Sequence, residues 1–231
     1  MATDRVVLAA LEMEIVACRR CPRLVEWRET VARDKVKRFR DELYWGRPLP
    51  GFGDPDARIL IVGLAPAAHG GNRTGRVFTG DASGDFLWAA LHRAGLADRV
   101  SSRRADDGLT LHDVRIAAAV RCAPPANKPT TEERDTCAPF LAREVAALQQ
   151  VRVIVALGAF GWDATLRVLA AAGHVTADGR RPVFGHLAET QIGPYVLLGS
   201  YHPSQQNTFT GRLTVAMFDA VVQRAVAIAH S

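Results

Sequence analysis

The segment 63–84, GLAPAAHGGNRTGRVFTGDASG, contains the side chains best suited to bind and cleave a planar substrate. Six glycines surround one histidine (His69), one aromatic ring (Phe78) and one acid (Asp81), together with two arginines. An aromatic ring can stack on a planar group, and a carboxylate beside it can stabilise a developing positive charge. We therefore predict a ligand site here. The alternative is a surface loop in which Asp81 only caps the next helix.

Two more polar segments follow apolar runs farther along the chain. The segment 121–130, RCAPPANKPT, carries Asn127, whose amide can orient a water molecule or contact the edge of a ring. A turn residue is the commoner use of asparagine before a helix. The segment 201–214, YHPSQQNTFTGRLT, carries His202, which we expect to point into the same pocket as Asp81. The remaining histidines receive no function.

The chain has four cysteines, Cys18, Cys21, Cys122 and Cys137. A C-x2-C pair with two distant cysteines can provide four thiolates to zinc or to an iron–sulfur cluster. The alternative is four unrelated buried thiols. Zinc ribbons usually repeat the C-x2-C pair. Here the second pair, Cys122 and Cys137, is 15 positions apart, which favours an iron–sulfur cluster. Its role would be structural, fastening the N-terminal segment to the edge of the sheet.

Four apolar runs, at 59–64, 114–121, 151–157 and 195–201, are typical of buried strands. Amphipathic stretches between and after them predict helices at 85–94, 130–149, 159–172 and 213–230. Strands that alternate with helices predict an α/β fold with a parallel sheet covered on both faces. The three polar segments would then meet at the carboxyl edge of the sheet, where such folds bind ligands.

Residues 1–57 precede the first strand and contain two predicted helices, at 6–16 and 24–39, with Pro22 breaking or restarting the helix between them. A loop rich in glycine and proline follows at 44–55. This part is too small for a core of its own. We interpret it as an extension packed on a single domain that spans residues 1–231.

The net charge of the chain is +5, and its isoelectric point is about 9.4. This surplus is compatible with a polyanionic partner, although a solvated basic surface would look the same. No apolar run approaches the length of about 18 residues that a membrane span needs. The first residues also lack the pattern of a signal peptide. We expect a cytoplasmic, nucleoid-associated protein that is a monomer and does not bind membranes.

Four motifs, taken together, resemble the uracil-DNA glycosylase superfamily, and most closely its type B, family 5 enzymes. They are GLAPAAHG at 63–70, FTGD at 78–81, RCAPPAN at 121–127 and HPSQQNTFTGRL at 202–213. With the cysteines, the resemblance covers nearly the whole chain. It implies a three-layer α/β/α sandwich around a central four-stranded parallel sheet.

The implied reaction is hydrolysis of the N-glycosidic bond of a deaminated base that is flipped out of DNA, which leaves an abasic site. The resemblance implies catalytic roles for Asp81, beside the sugar and the attacking water, for His202, facing the base carbonyl, and for Asn127. Phe78 would stack on the base. The other implied substrate-binding residues are Ala65, His69, Gly80, Gln205, Gln206, Asn207 and Arg212, of which those from Gln205 onward belong to a loop that enters the minor groove.

The resemblance also implies that Cys18, Cys21, Cys122 and Cys137 are ligands of a structural [4Fe–4S] cluster, and that no metal acts at the reacting bond. The expected partner is double-stranded DNA containing deaminated bases, with single-stranded DNA as a further candidate.

Two positions depart from the related type A pattern. Leu64 stands where type A enzymes carry a glutamate that helps the water, and Ala118 stands where they carry an asparagine that contacts the uracil edge. A pocket without that amide should discriminate poorly between bases, because discrimination comes largely from polar groups that the wrong base leaves unpaired. We therefore predict a broad range that includes uracil, hypoxanthine and other modified bases.

Three alternatives remain at this stage. One is a non-catalytic or crosslinking DNA-binding member of the superfamily, although the stretch GNRTGR at 71–76 matches the hydrolytic pattern. Another is an iron–sulfur redox or sensor protein, in which oxidation of the cluster would change activity. The third is a small-molecule hydrolase, which would not bind duplex DNA in a salt-dependent way.

Overall fold

A computed structural model describes residues 2–231, and it describes side chains from residue 5 onward. Its centre is a six-stranded sheet in the order β1-β3-β2-β4-β6-β5. The strands are β1 (Phe52–Gly53), β2 (Ile59–Gly63), β3 (Val114–Ala118), β4 (Val153–Leu157), β5 (Glu189–Ile192) and β6 (Tyr195–Ser200). The four central strands run parallel to one another, and β1 and β5 are antiparallel edges.

Eight α-helices accompany the sheet in the described chain: α1 (Ala2–Ala17), α2 (Pro22–Asp34), α3 (Gly71–Thr74), α4 (Ala82–Arg93), α5 (Thr131–Ala147), α6 (Gly158–Ala171), α7 (Gln205–Phe209) and α8 (Val215–Ala229). Two short 3-10 helices lie at Lys37–Phe39 and Pro125–Asn127. Thr130 and Glu133 form a capping box at the start of α5, as its sequence pattern predicts. None of these helices is long and apolar enough to cross a membrane.

Alternate residues of each central strand point to opposite faces of the sheet, and this alternation creates two cores. On one face, Ile59 and Ile61 of β2 pack in the core that α4 and α8 cover. On the other face, Leu60 and Val62 pack in the core that α5 and α6 cover. The protein is therefore a three-layer α/β/α sandwich, and the predicted central four-stranded parallel sheet is confirmed.

The N-terminal segment packs on the face of the sheet that α5 and α6 cover, through apolar contacts and through ion pairs of Glu12 with Arg115 and of Glu14 with Arg143. Leu11 and Ile15 of α1 pack with Cys137 and Phe140 of α5. Pro22 occupies the first turn of α2, so it restarts the helix as predicted. The strand β1 lies within residues 1–57 and pairs with β3, so the segment also contributes to the sheet.

Several boundaries differ from the prediction. The helix expected at 24–39 ends at Asp34, because Lys35 adopts a left-handed backbone conformation with φ of 53°. The strand expected at 114–121 leaves the sheet after Ala118. The segment expected as a DNA-contacting loop at 205–212 begins with the short helix α7. The two edge strands were not predicted, since β1 has two residues and β5 is polar and mostly exposed.

Candidate active site and cysteine cavity

The glycine-rich segment leaves β2 and the histidine segment leaves β6, so both lie at the carboxyl edge of the parallel strands. The rings of Phe78 and His202 stack there, with centroids 6.0 Å apart and an interplanar angle of 28°. This contact brings the two segments together, as the sequence predicts. It also places the expected base-stacking ring next to the expected base-facing histidine.

Phe78 is held in an uncommon backbone conformation, with φ of 51°. The indole nitrogen of Trp88, on α4, donates a hydrogen bond of 2.7 Å to the Phe78 carbonyl oxygen. The ring lies against Gly63, where a β-carbon would be 3.0 Å from two ring carbons. The end of β2 and the indole of Trp88 together fix the ring, and the sequence alone did not point to Trp88.

Asp81 is the N-cap residue of α4, and its Oδ1 accepts a hydrogen bond of 2.9 Å from the amide of Gly84. Its Oδ2 lies against Gly70, in the first half of the same segment. Burial raises the pKa of Asp81, while the amides of Gly84 and Ser83 partly oppose that rise. The residue therefore caps a helix and also presents a carboxylate between the two halves of the segment.

His202 is a neutral imidazole at neutral pH, because burial lowers its pKa to about 4. Its carbonyl oxygen accepts a hydrogen bond of 2.9 Å from the Asn207 amide, which ties the start of α7 to the site. A neutral imidazole has one N–H donor and one acceptor nitrogen. The ring can therefore donate a hydrogen bond to a substrate oxygen without carrying a charge.

Two arginines of the glycine-rich segment, Arg73 and Arg76, brace that segment from inside the protein. Arg73 donates hydrogen bonds to the carbonyl oxygens of His69 (2.8 Å) and Gly80 (3.1 Å). Arg76 bonds to Ser102 and, at 2.5 Å, to Asp107. Both guanidinium groups are buried, so the arginines hold the segment in shape and are not available to contact phosphate.

Three expected substrate-binding residues of this segment have defined surroundings. The Nδ1 atom of His69 lies 3.1 Å from the Tyr44 hydroxyl, and burial, with help from nearby arginines, lowers the His69 pKa. Gly80 adopts φ of 81° and donates its amide to Ser102. The Ala65 side chain packs towards the cysteines, with Leu24, so only its backbone is available to a substrate.

The segment after β6 forms an exposed surface next to His202. Gln205 and Gln206 are exposed on α7, and Phe209 is 79% exposed. The Arg212 guanidinium lies over the Tyr201 ring at 4.7 Å, and Tyr201 stacks on His186 with centroids 5.0 Å apart. This stack of Arg212, Tyr201 and His186 was not predicted, since His186 lies in the segment 175–187, whose sequence is typical of a surface loop.

Asn127 stands apart from these contacts. It ends the 3-10 helix at Pro125–Asn127, it is exposed, and both it and Ala126 have left-handed backbone conformations. Its side chain forms no hydrogen bond with any residue of the described chain. Asn127 is therefore a turn residue, and its catalytic role stays a prediction.

The two positions that depart from the type A pattern both carry apolar side chains. Ala118 is buried at the end of β3, where it pairs with Gly63 of β2. Leu64 follows Gly63 directly, and its carbonyl oxygen accepts a hydrogen bond from Val120. No polar side chain is therefore present at either position to contact a base or a water molecule.

All four cysteines line one small cavity between α2, the end of β3 and α5. Cys122 and Cys137 are buried, and burial raises their pKa values to about 12 and about 11. Two donors point at these sulfur atoms. The Nη1 atom of Arg28 lies 3.0 Å from the Cys122 sulfur, and the amide of Arg121 lies 3.3 Å from the Cys137 sulfur.

Four cysteines can bind either a tetrahedral zinc ion or an iron–sulfur cluster, and the two centres require different spacings of the sulfur atoms. A tetrahedral zinc site needs its sulfur atoms about 3.8 Å apart, because each Zn–S bond is about 2.3 Å long. Within residues 2–231, no three His, Cys, Asp or Glu side chains are grouped so that they could hold a single metal ion. In an iron–sulfur cluster each thiolate binds a different iron, which spreads the ligands. Four thiols around one cavity, with donors aimed at the sulfur atoms, fit a cluster better than a single ion.

Comparison with known proteins gives consistent results. Residues 50–226 match the family model of the uracil DNA glycosylase superfamily. A type-5 uracil-DNA glycosylase of Mycobacterium bovis is 54% identical over 96% of this chain and 82% of its own length. The type-5 enzyme of Mycobacterium leprae is 54% identical over 95% of this chain and 94% of its own. The type-5 enzyme of Thermus thermophilus is 52% identical over 95% of this chain and 97% of its own length.

Proposed function

The chain belongs to the uracil DNA glycosylase superfamily, and we propose that it is a DNA repair enzyme that removes uracil from DNA. The resemblance inferred from the four motifs is thereby confirmed. The observation that carries the proposal is the contact between Phe78 and His202, with Asp81 on the same segment as Phe78. The non-catalytic alternative is not favoured, since the relatives are named as glycosylases.

The proposed reaction breaks the bond between the sugar carbon and the base nitrogen, and it forms a bond from the same carbon to the oxygen of a water molecule. Phe78 stacks on the flipped base. Asp81 stabilises the positive charge that develops on the sugar and orients the water, whose proton it can accept. The neutral His202 donates a hydrogen bond to the base oxygen, where negative charge collects as the base departs. One preorganised donor of this kind contributes roughly 3–4 kcal/mol.

We also propose that the enzyme accepts several deaminated bases. The support is the apolar side chain at Ala118, which leaves no amide at that position to reject a base with a different edge. Uracil, hypoxanthine and other modified bases are therefore the expected substrates.

The four cysteines, in this proposal, hold a structural [4Fe–4S] cluster. Its thiolate bonds would join the start of α2 to the end of β3 and to α5, three segments far apart in sequence. It would supply cross-links and no chemistry at the reacting bond. Removal of the iron is expected to lower the melting temperature of the protein.

The proposed partner is double-stranded DNA, with single-stranded DNA as a second candidate, and the proposed site of action is the bacterial or archaeal nucleoid in the cytoplasm. The net charge of +5 supports binding to a polyanion. Affinity should fall as salt concentration rises, because bound phosphates release counterions. The protein is expected to act as a monomer.

Single-turnover release of free base tests the proposal, with duplex oligonucleotides that carry one central uracil or one hypoxanthine. Release of both bases is expected. Release of uracil alone would retain the glycosylase and overturn the argument from Ala118. Release of neither base, with DNA binding intact, would overturn the enzymatic function.

A further inference from the structure

Arg28 is a cation buried inside the protein whose acidic neighbour in the described chain is distant and exposed. Its side chain, on α2, is 2% exposed. The nearest carboxylate belongs to Glu29, at 3.8 Å, and that group is exposed and bonded to Arg19. The guanidinium instead donates hydrogen bonds to the Cys122 sulfur (3.0 Å) and to the Cys18 carbonyl oxygen (3.2 Å). Its Nε has no partner in the described chain.

A buried charge whose counter-ion is distant and exposed is costly, whereas an anion in direct contact with it offsets that cost. A protonated thiol is only a weak acceptor, and a thiolate is an anion. The contact between Arg28 and Cys122 is therefore unfavourable if the four cysteines are free thiols. It becomes a charge-assisted hydrogen bond if Cys122 is a thiolate ligand.

Arg121 repeats this pattern on the other side of the cavity. Its side chain is 1% exposed and lines the cavity, and its backbone amide donates to the Cys137 sulfur. One nitrogen bonds to Glu144, but Nε and Nη1 have no partner in the described chain. Glu144 also bonds to Arg115 at 2.7 Å. Arg115 has a second carboxylate partner, Glu12, at 2.7 Å. Arg121 shares Glu144 with Arg115, and its Nε and Nη1 atoms have no partner in the described chain.

We propose that Arg28 and Arg121 compensate the charge of an anionic iron–sulfur cluster held by the four cysteines, and that they set its reduction potential. This inference rests on the proposed cofactor. An oxidised [4Fe–4S] core with four thiolates is a dianion, and reduction adds one more negative charge. Because nearby cations and N–H donors favour the more negative state, the two arginines raise the midpoint potential. They are positioning residues for the cofactor and take no part in base excision.

The experiment is a spectroelectrochemical titration of protein purified without oxygen, with iron, sulfide and uracil release measured on each preparation. Arg28→Met removes a buried cation, so its midpoint should move to a more negative potential. Glu144→Gln removes the shared carboxylate and leaves Arg121 less compensated, so its midpoint should move to a more positive one. Arg33→Met is the matched control, because Arg33 is on the same helix and 71% exposed. It should leave the midpoint unchanged.

A second measurement is the bleaching of the cluster absorbance by ferricyanide, which takes one electron from the cluster and promotes loss of iron. Removal of a nearby cation and its hydrogen bond makes the cluster easier to oxidise, so bleaching should be about tenfold faster in Arg28→Met. If Arg28→Met loses helicity, Arg28→Lys is measured in its place. Lysine keeps the charge but cannot reach both the Cys122 sulfur and the Cys18 carbonyl oxygen. The midpoint of Arg28→Lys should move in the same direction as that of Arg28→Met, by a smaller amount.

The outcomes separate this inference from the function on which it rests. Wild-type protein without iron and sulfide would overturn the cofactor, whatever its uracil release. Bound cluster with the same midpoint in wild type, Arg28→Met and Glu144→Gln would overturn the role of the arginines alone. Shifts of opposite sign in the two variants would support it, since a purely structural role does not predict the signs.

Discussion

The carboxylate of Asp81 occupies the space that a side chain at Gly70 would need. A β-carbon on Gly70 would lie 2.0 Å from Oδ2 of Asp81. The two residues are eleven positions apart and belong to opposite halves of the glycine-rich segment. The absence of a side chain at Gly70 therefore allows Asp81 to cap α4 and to face the substrate side of the segment together.

Gly70→Ala should displace the Asp81 carboxylate and slow base release without removing any polar group. A displacement of about 1 Å can reduce a rate by roughly a hundredfold, so we expect a loss of that order in the single-turnover rate. Gly185→Ala is the control, because a β-carbon there would only meet Ala188 at 3.5 Å. An unchanged rate in Gly70→Ala would mean that the position of the carboxylate does not matter.

Trp88→Phe removes the hydrogen bond that fixes the left-handed backbone of Phe78. The matched control is Trp162→Phe, since Trp162 is also buried and donates to the Pro182 carbonyl oxygen on the other face of the sheet. Each change should lower the free energy of unfolding by about 1–3 kcal/mol, measured by urea denaturation. Only Trp88→Phe should also slow release of uracil. Equal slowing in both variants would assign the effect to lost stability.

The pH dependence of kcat/KM should be governed by Asp81 on its acid side. Burial raises the Asp81 pKa, so the rate should fall as pH drops through a value above the ordinary carboxyl range of about 4. His202, with its pKa lowered to about 4, is already neutral there and should add no step near neutral pH. His202→Gln should therefore reduce the rate but keep the position of the acid limb. If the acid limb of the kcat/KM profile disappeared in His202→Gln, the ionisation that controls the rate would belong to His202 and not to Asp81.

Phe209→Ala should affect paired DNA more than unpaired DNA. Phe209 is a large apolar side chain at the exposed end of α7, and apolar wedges commonly hold a duplex open. We expect a roughly ten- to hundredfold slower release of uracil from a duplex, since unstacking one base step costs a few kcal/mol and about 1.4 kcal/mol is a factor of ten, and a smaller effect on a single strand. Val6→Ala is the control, because Val6 is also highly exposed but lies on α1, which packs against α5. Equal effects on both forms of DNA would contradict a wedge role.

The central sheet could be predicted because its strands are continuous apolar runs. Runs such as 59–63 bury residues on both faces of a parallel sheet, which leaves a clear signal in the sequence. The edge strand β5 leaves no such signal. Its four residues pair with β6, Glu189 bonds to Arg224 and Ile192 is buried in the core, and none of these partners is visible in a single sequence.

The meeting of the Phe78 and His202 segments was predicted from the sequence, whereas the residues that support them were not. Phe78 and His202 were identified through motifs, and their contact follows from the ends of two strands. The bracing role of Arg76 was not predicted, because its partner Asp107 is 31 positions away and only the fold brings them together. Trp88 was missed for a similar reason, since its indole nitrogen acts on a carbonyl oxygen that no side-chain pattern reveals.

The most direct test of the account is single-turnover release of uracil from duplex DNA by the wild type and by Asp81→Ala, with Asp106→Ala as the control for loss of an exposed carboxylate. The account predicts rapid release by the wild type and by the control. It predicts a loss of roughly a hundredfold or more in Asp81→Ala, with DNA binding retained, because the carboxylate acts mainly in the transition state. Equal rates for Asp81→Ala and the wild type would contradict the assignment of the reaction to this site.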